Sequence, residues 1–140
     1  VMTERSVIQL SEERSRKKVD RWNRICTEAA RQSQRAVPAD VSMPISFTEA
    51  LEDWNAETPG IFLDESLASE DRRGLSDVLQ DIGEQIALFI GPEGGFSPPE
   101  AEAGRDVGLT PVGLGPRILR TETAAIVACA IVMYEAGELR

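Results

Sequence analysis

The sequence contains no histidine, only two cysteines, and no apolar run longer than the one from Ala124 to Tyr134. Without histidine the commonest metal ligand and general base is missing, and no metal-ligand spacing occurs. Cys26 and Cys129 lie in apolar stretches, which predicts buried reduced thiols in a cytoplasmic protein rather than a disulfide framework. The apolar run is too short to span a bilayer, and no signal peptide is visible. The sequence therefore predicts a protein without a metal site or a membrane span.

The charge of the chain is strongly acidic but unevenly distributed. A length of 140 residues indicates one domain. A net charge of −9 argues against a protein that binds nucleic acid strongly on its own. The positive charge is clustered, however, and a local basic patch is compatible with an RNA enzyme. A solvated helix face explains the same cluster equally well. Its members are Arg14, Arg16, Lys17, Lys18, Arg21, Arg24, Arg31 and Arg35.

The first half of the chain predicts helices followed by one strand. Residues 11–36 read as one long helix with a capping Ser11 and with Pro38 just past its end. A short extended piece over 41–45 leads to a second helix near 49–54, and residues 60–63 read as a strand. Residues 64–83 read as an irregular acidic connection. The long helix is expected to face inward with Val19, Trp22, Ile25, Cys26, Ala29 and Ala30.

The second half alternates strand and helix. Residues 85–90 form a continuous apolar run, which is typical of a central parallel strand covered on both faces. Ser97 begins a helix that runs to about Val107 and stops at Gly108. A strand over 110–114 precedes a last helix from Thr121 to about Gly137, apolar on all sides and therefore expected to pack against the sheet and a second subunit. The predicted class is α/β, with a mostly parallel sheet and helices on both faces.

Two glycine-bearing segments follow predicted strands, at the sheet edge where open α/β sheets bind ligands. The first runs Gly91-Pro92-Glu93-Gly94-Gly95-Phe96, and the second runs from Leu114 to Ala124. Neither has the P-loop pattern or the dinucleotide fingerprint. The first segment suggests a ligand close to the backbone, and the second a flat apolar group such as adenine. Taken alone, the first segment is also compatible with a tight strand-to-helix turn that binds no ligand. The second is also compatible with Leu119 in the core, arginines paired with surface carboxylates and Thr121 as a helix cap.

Taken together, the two segments resemble the signature of the RsmE family of ribosomal RNA small-subunit methyltransferases, within the SPOUT superfamily. The second segment reads Leu114-Gly115-Pro116-Arg117-Ile118-Leu119-Arg120-Thr121-Glu122-Thr123. Upstream, Glu4-Arg5-Ser6, Trp22, the stretch 28–35 and Pro38 match the family's long helix, so the resemblance covers nearly the whole chain. One departure lies at 31–35, where the chain reads Arg-Gln-Ser-Gln-Arg and the family usually has Glu-Gln-Ser-Gly-Arg.

The resemblance implies a C-terminal trefoil knot that binds S-adenosylmethionine and is commonly completed by a second subunit, hence a homodimer. It implies methylation of a uridine at ring nitrogen 3 in the 16S ribosomal RNA of the small subunit. Family members also carry a PUA-like RNA-binding domain and a first strand and helix, which this chain is expected to lack. The cofactor pocket is expected to include Leu63, Gly91, Gly94, Leu114, Gly115, Ile118, Leu119 and Thr123.

The reactive nitrogen carries a proton, so the enzyme must favour deprotonated uracil. Without histidine, Glu93 and Glu122 are the candidate bases, and positive charge near the uracil oxygens is the favoured alternative. We expect Arg35, Arg117 and Arg120 to supply it, with Glu122 beside them, and Gln32, Ser33 and Arg35 to contact the substrate. Two other interpretations stay open. One is a different knotted methyltransferase acting on transfer RNA or a ribose hydroxyl, and the other is a non-catalytic cofactor-binding or dimerisation module.

Overall fold

The computed structural model describes residues 1–6, 11–54, 56–64, 74–79, 83 and 85–139. Within these ranges the chain forms three strands and five helices in an α/β arrangement. The strands are β1 (Gly60–Leu63), β2 (Ala87–Phe89) and β3 (Thr110–Val112). The helices are α1 (Glu12–Gln32), α2 (Phe47–Asp53), α3 (Leu75–Val78), α4 (Pro98–Asp106) and α5 (Thr121–Glu135).

The three strands form one parallel sheet in the order β2-β1-β3. Phe62 of β1 is paired with Phe89 on one side and with Pro111 on the other. Because all strands run the same way, their carboxyl ends meet at one edge, and the loops after β2 and β3 leave from that edge. These loops are the two glycine-bearing segments.

The apolar core lies on both faces of this sheet. Ile61 and Phe62 are adjacent in β1 and 1% exposed, and they point to opposite faces because side chains alternate along a strand. Phe62 packs with Phe47, Leu51, Ala101 and Leu109, from α2, from α4 and from the residue before β3. Ile61 packs with Leu75, Leu79, Val112 and Ala128, from the α3 and α5 region and from β3. The predicted class, a parallel sheet covered by helices on both faces, is confirmed.

Within the described sheet, the run over 85–90 does not form the central strand. Its regular part is Ala87–Phe89, which lies at the edge of the described sheet, and the central position belongs to β1. Leu88 and Phe89 are only half-buried as a result. An apolar run predicts burial on two faces but carries no information about which neighbour is paired with it.

The long helix is shorter and more exposed than predicted. Helix α1 ends at Gln32, and Ser11 caps it without a side-chain hydrogen bond. Trp22 and Ile25 are 39% and 54% exposed, so they do not belong to the inward face. Ala30 is buried as predicted, Val19 and Cys26 are half-buried, and Ser15, which was not predicted, is the other buried residue of α1. Asn23 fixes the helix to the extended segment, because its amide exchanges hydrogen bonds of 2.8 and 3.1 Å with the backbone of Val41.

Helix α4 matches its predicted bounds, and α5 begins at Thr121 as predicted but ends at Glu135 instead of near Gly137. Ser97 and Glu100 form a capping box at the start of α4, and Gly108 ends it with φ +99°. Helix α5 buries Ala124 and Ala128 but leaves Ile126 71% exposed. Cys129 is exposed and Cys26 half-buried, so the prediction of two buried thiols is wrong. No helix in the described part of the chain is long and apolar enough to cross a membrane.

Candidate active site

The loop after β2 is a tight turn whose last residue, Phe96, packs against the core. The Gly95 N–H donates to the Pro92 carbonyl at 2.8 Å, and Gly95 has a φ of +64°, which favours glycine. Gly91 lies so close to the returning chain that a Cβ there would meet the Gly95 carbonyl carbon at 3.3 Å. Phe96 then enters the core, with its ring centroid 5.1 Å from that of Phe47. The loop therefore presents backbone on one side while its aromatic end is fixed.

The N-terminal segment holds this loop from outside. The Arg5 guanidinium donates to the Gly94 carbonyl at 2.5 Å, and its Cδ would lie 3.3 Å from a Cβ at Gly94. Next to it, one carboxylate oxygen of Glu100 accepts from the Glu4 N–H and the other from the Ser97 N–H, each at 2.8 Å. Sequence reasoning assigns Arg5 no role, and the one available signal is the match of Glu4-Arg5-Ser6 to the family pattern.

The loop after β3 leads from the sheet directly into α5. Gly115 has a φ of +93°, and beyond its two chain neighbours no other described residue has an atom within 4 Å of where its Cβ would stand. Ile118 is 77% exposed, although it is a large apolar side chain. Leu119 is half-buried. The loop ends at Arg120, which is the N-cap of α5 and makes no side-chain capping bond.

Two adjoining cavities lie at the carboxyl edge of the sheet, and both are lined by Leu63 and Ala124. The first is further lined by Asp64 and by the second loop: Val112, Gly113, Leu114, Gly115, Arg117, Ile118 and Leu119. The second is further lined by the first loop and the start of α5: Ile90, Gly91, Pro92, Gly95 and Thr121. The two loops therefore surround one site, with the end of β1 and the first turn of α5 between them.

A buried carboxylate belongs to this site. Asp64 follows β1, is 6% exposed, and its N–H donates to the Val112 carbonyl at 3.0 Å. Its carboxylate accepts from the Arg105 guanidinium of α4 at 2.9 Å, and that guanidinium lies 5.6 Å from the centroid of the Phe62 ring. Sequence reasoning misses Asp64 because it begins the acidic stretch interpreted as an irregular connection. Its position directly after an apolar strand is the available signal.

The structure brings together half of the predicted site residues. Those that line the two cavities are Leu63, Gly91, Leu114, Gly115, Arg117, Ile118 and Leu119. Gly94 faces Arg5 instead, and Gly95 takes its place on the cavity side. Thr123 is exposed and lines neither cavity, whereas Thr121 and Ala124 do. The remaining predicted residues, Arg120, Glu122, Gln32, Ser33 and Arg35, are exposed and line neither cavity.

Glu93 is exposed on the first loop and lines a separate open groove with Pro92 and Trp22. Among the described residues, no group of histidine, cysteine, aspartate and glutamate side chains could hold a metal ion. The site is thus built mainly from backbone and apolar side chains, with Arg117 on its lining and one buried carboxylate, Asp64, paired with an exposed arginine. That combination suits an organic ligand with a flat apolar part and polar edges.

Fold and site together define an α/β domain with a small-molecule pocket at the carboxyl edge of a parallel sheet. The chain belongs to the RNA methyltransferase domain family, whose model matches residues 1–133. Ribosomal RNA small subunit methyltransferase E of Bacillus subtilis (strain 168) is 33% identical over 139 residues, covering 97% of this chain and 54% of that protein. The same enzyme of Synechocystis is 35% identical over 130 residues, covering 93% and 42%.

Solved structures give the same result. Ribosomal RNA small subunit methyltransferase E from Neisseria gonorrhoeae, bound to S-adenosyl methionine, superimposes with a TM-score of 0.77 at 30% identity. The superposition covers 95% of this chain and 52% of the Neisseria gonorrhoeae chain. Lpg2936 from Legionella pneumophila, in complex with the bound cofactor SAM, gives a TM-score of 0.84 at 30% identity, with the same two coverages. The chain spans about half the length of the curated relatives it matches.

Proposed function

We propose that this domain binds S-adenosylmethionine and, in the complete protein, methylates 16S ribosomal RNA of the small subunit in the cytoplasm. One observation carries the proposal: the glycine-bearing loops after β2 and β3, far apart in sequence, line adjoining cavities that share Leu63 and Ala124. The two related structures carry S-adenosylmethionine in chains that match 95% of this one. The proposed target atom is ring nitrogen 3 of a uridine, as the RsmE resemblance implies.

The chemistry of the cavities fits this cofactor. Leu114, Ile118 and Leu119 offer apolar surface for an adenine ring. Gly91, Gly95 and Gly115 line the cavities without a Cβ, so a ligand can approach the chain closely there. When bound, S-adenosylmethionine supplies a methyl group on a positively charged sulfonium.

The methyl acceptor must lose its proton before or during transfer. Each unit by which the pKa of the uracil nitrogen exceeds the ambient pH costs about 1.4 kcal/mol. Positive charge near the uracil oxygens lowers that cost, because it stabilises the anion. Of the three predicted arginines, all within the described residues, Arg117 alone lines the cofactor cavities. We therefore assign the main electrostatic role to Arg117 and leave Arg120 and Arg35 to contacts with substrate, together with Gln32, Ser33 and Glu122.

The proposed active form is a homodimer. Helix α5 exposes Ile126, Cys129, Ala130 and Met133, which recur at helical spacing along one side. An apolar stripe of this kind on a surface helix marks an interaction site, and the same helix lines the second cavity through Thr121 and Ala124. Ile126→Glu should give a monomer in analytical ultracentrifugation, while Glu135→Gln, at the end of the same helix, should leave the dimer intact.

The sheet itself supports a larger catalytic domain. The outer edge of β2 carries no partner strand among the described residues, and its apolar side chains are half-buried. Such an edge is normally covered or paired. We propose that a further strand of the complete protein pairs there and that the expected PUA-like domain holds RNA. We also propose that the C-terminal part of the chain forms the trefoil knot. Single-molecule stretching tests this, because a knotted chain extends to less than its full contour length.

The decisive experiment separates cofactor binding from catalysis. Calorimetry should detect S-adenosylmethionine binding by the full-length protein, and nucleoside mass spectrometry should detect 3-methyluridine in small subunits treated with it. Arg117→Ala should reduce methylation at least tenfold and leave cofactor affinity within a few-fold, while Arg16→Ala serves as the control. No binding by a folded dimer would favour a non-catalytic module. A methylated ribose or transfer RNA would favour another knotted methyltransferase.

A further inference from the structure

One helix of this acidic chain is basic. Eight of its 15 lysines and arginines, but only four of its 24 acidic residues, lie between residues 11 and 36. That segment carries a net positive charge, and the rest of the chain is more acidic than the total indicates. Any polyanion that approaches the domain is therefore drawn to α1 and repelled elsewhere.

Ion pairs within α1 divide its cations into two sets. Glu12, Glu13 and Glu28 pair with Arg16, Lys17 and Arg31 at 2.5–2.7 Å. In the described part of the chain, Arg14, Arg21 and Arg24 form no ion pair, and all three are exposed. Arg14, Lys18 and Arg21 share one side of the helix with spacings of four and three, and Arg24 follows Arg21 by three residues; the paired Lys17 lies on the same side, four residues before Arg21. We call Arg14, Lys18, Arg21 and Arg24 the basic stripe; it is about 15 Å long at 1.5 Å per residue.

The basic stripe leads toward the proposed cofactor loop. The Lys18 ammonium lies 5.8 Å from the centroid of the Trp22 ring, which is 39% exposed. Trp22 in turn lines an open groove whose other lining residues include Pro92 and Glu93 of the loop after β2. An exposed indole beside a row of cations is the combination that holds single-stranded nucleic acid, since cations meet phosphates and the ring stacks on a base.

We infer that the basic stripe binds the phosphate backbone of a single-stranded RNA segment, with one base stacked on Trp22. This inference rests on the proposed function, because it supplies the path by which the RNA reaches the site. The cations of the stripe are spaced along a helix. This spacing suits a ligand with several phosphates in a row better than a ligand with a single carboxylate. An acidic protein segment and an anionic lipid surface are the two partners that the experiment must distinguish from RNA.

The test compares two triple variants of the full-length protein that change the charge of the same helix equally. The stripe variant is Arg14→Gln, Arg21→Gln and Arg24→Gln, and the control is Arg16→Gln, Lys17→Gln and Arg31→Gln. Binding of a single-stranded RNA oligonucleotide is measured by fluorescence anisotropy over a series of salt concentrations. Because each phosphate contact to a single strand contributes about 0.7 to the salt slope, the stripe variant should lose about 2 from that slope.

The stripe variant should bind the oligonucleotide at least tenfold more weakly, and the control should stay within threefold of the parent. Trp22→Ala should weaken binding roughly tenfold without changing the salt slope. Equal effects of the two triple variants, or none, would overturn the inference. Stripe-dependent binding to vesicles of anionic lipid or to a poly-glutamate peptide, but not to RNA, would also overturn it. The affinity for S-adenosylmethionine, measured by calorimetry, should be the same in all variants and in the parent. If the parent does not bind S-adenosylmethionine, the proposed function is refuted, but the RNA-binding result can still be interpreted.

Discussion

Two glycines on either side of β3 provide a matched test of the cofactor site. Gly108 precedes the strand with a φ of +99° and Gly115 follows it with a φ of +93°. At both positions an added methyl group would meet open space, because no described atom beyond the glycine and its two chain neighbours lies within 4 Å of an ideal Cβ. The two residues differ in place: Gly115 lines the first cavity, whereas Gly108 lies at the opposite edge of the sheet.

Replacing either glycine with alanine should destabilise the fold by a similar amount. An L-residue with positive φ is disfavoured by about 1–2 kcal/mol, and neither site adds a clash. For a domain of this size that loss corresponds to a fall in Tm of roughly 3–6 °C. Differential scanning fluorimetry without ligand should therefore give nearly equal shifts for Gly108→Ala and Gly115→Ala.

Cofactor binding should separate the two variants. A methyl group at Gly115 would stand beside the cavity and keep the ligand away from the backbone. The Kd for S-adenosylmethionine should therefore rise at least tenfold, which corresponds to a loss of about 1.4 kcal/mol in binding free energy. Gly108→Ala should keep the Kd within twofold, because it changes nothing at the carboxyl edge. Calorimetry at a temperature where both variants are folded measures this. Equal Kd values in the two variants would refute the assignment of the second loop to the cofactor.

Three further predictions concern the supports of the site. Arg105→Gln should lower the free energy of unfolding, measured in urea, by about 2–3 kcal/mol, and Asp64→Asn should lower it by about 1–2 kcal/mol. Arg105→Gln should cost more because it leaves the buried Asp64 carboxylate without this guanidinium. A larger loss in Asp64→Asn than in Arg105→Gln would contradict that reason. Arg5→Ala should weaken S-adenosylmethionine binding several-fold and Arg5→Lys less, because the Gly94 carbonyl loses its donor. Hydrogen bonds from the Ser46 backbone and hydroxyl hold the pKa of Glu49 below its ordinary value. Their stabilisation is therefore present above that value and lost as the pH falls through the folded-state pKa, and Ser46→Ala should flatten this acid dependence in thermal melts.

Features set by neighbouring residues were predictable from the sequence. Helix α4 starts at the Ser97 and Glu100 capping box and ends at Gly108, as predicted, because a cap and a positive-φ glycine act within one turn of chain. The bounds of β1 were predictable for a similar reason, since Gly60 begins and Leu63 ends a short apolar run. Ser46 begins α2 through a local capping box, and the helix therefore starts at Phe47, two residues before the predicted start.

Features set by distant residues were not predictable in this way. The run over 85–90 has the composition of a central strand, yet its place at the edge depends on which strands are paired with it. Trp22 and Ile25 follow helical spacing, but the inward side of α1 is decided by the Asn23 contact with Val41, a residue in a separate segment. Periodicity identifies a helix face, and only the packing partner decides whether that face is buried.

The candidate site combines both kinds of information. The two loops were identifiable because glycines and proline after apolar runs have a local conformational meaning. The residues that fix those loops are far away in sequence: Arg5 reaches Gly94, and Arg105 reaches Asp64. Their charges look like ordinary surface charge in the sequence, because nothing adjacent to them requires a partner. When a pocket is built from backbone, the sequence therefore identifies the loops that line it. It gives almost no indication of the side chains, such as Arg5 and Arg105, that hold those loops in place.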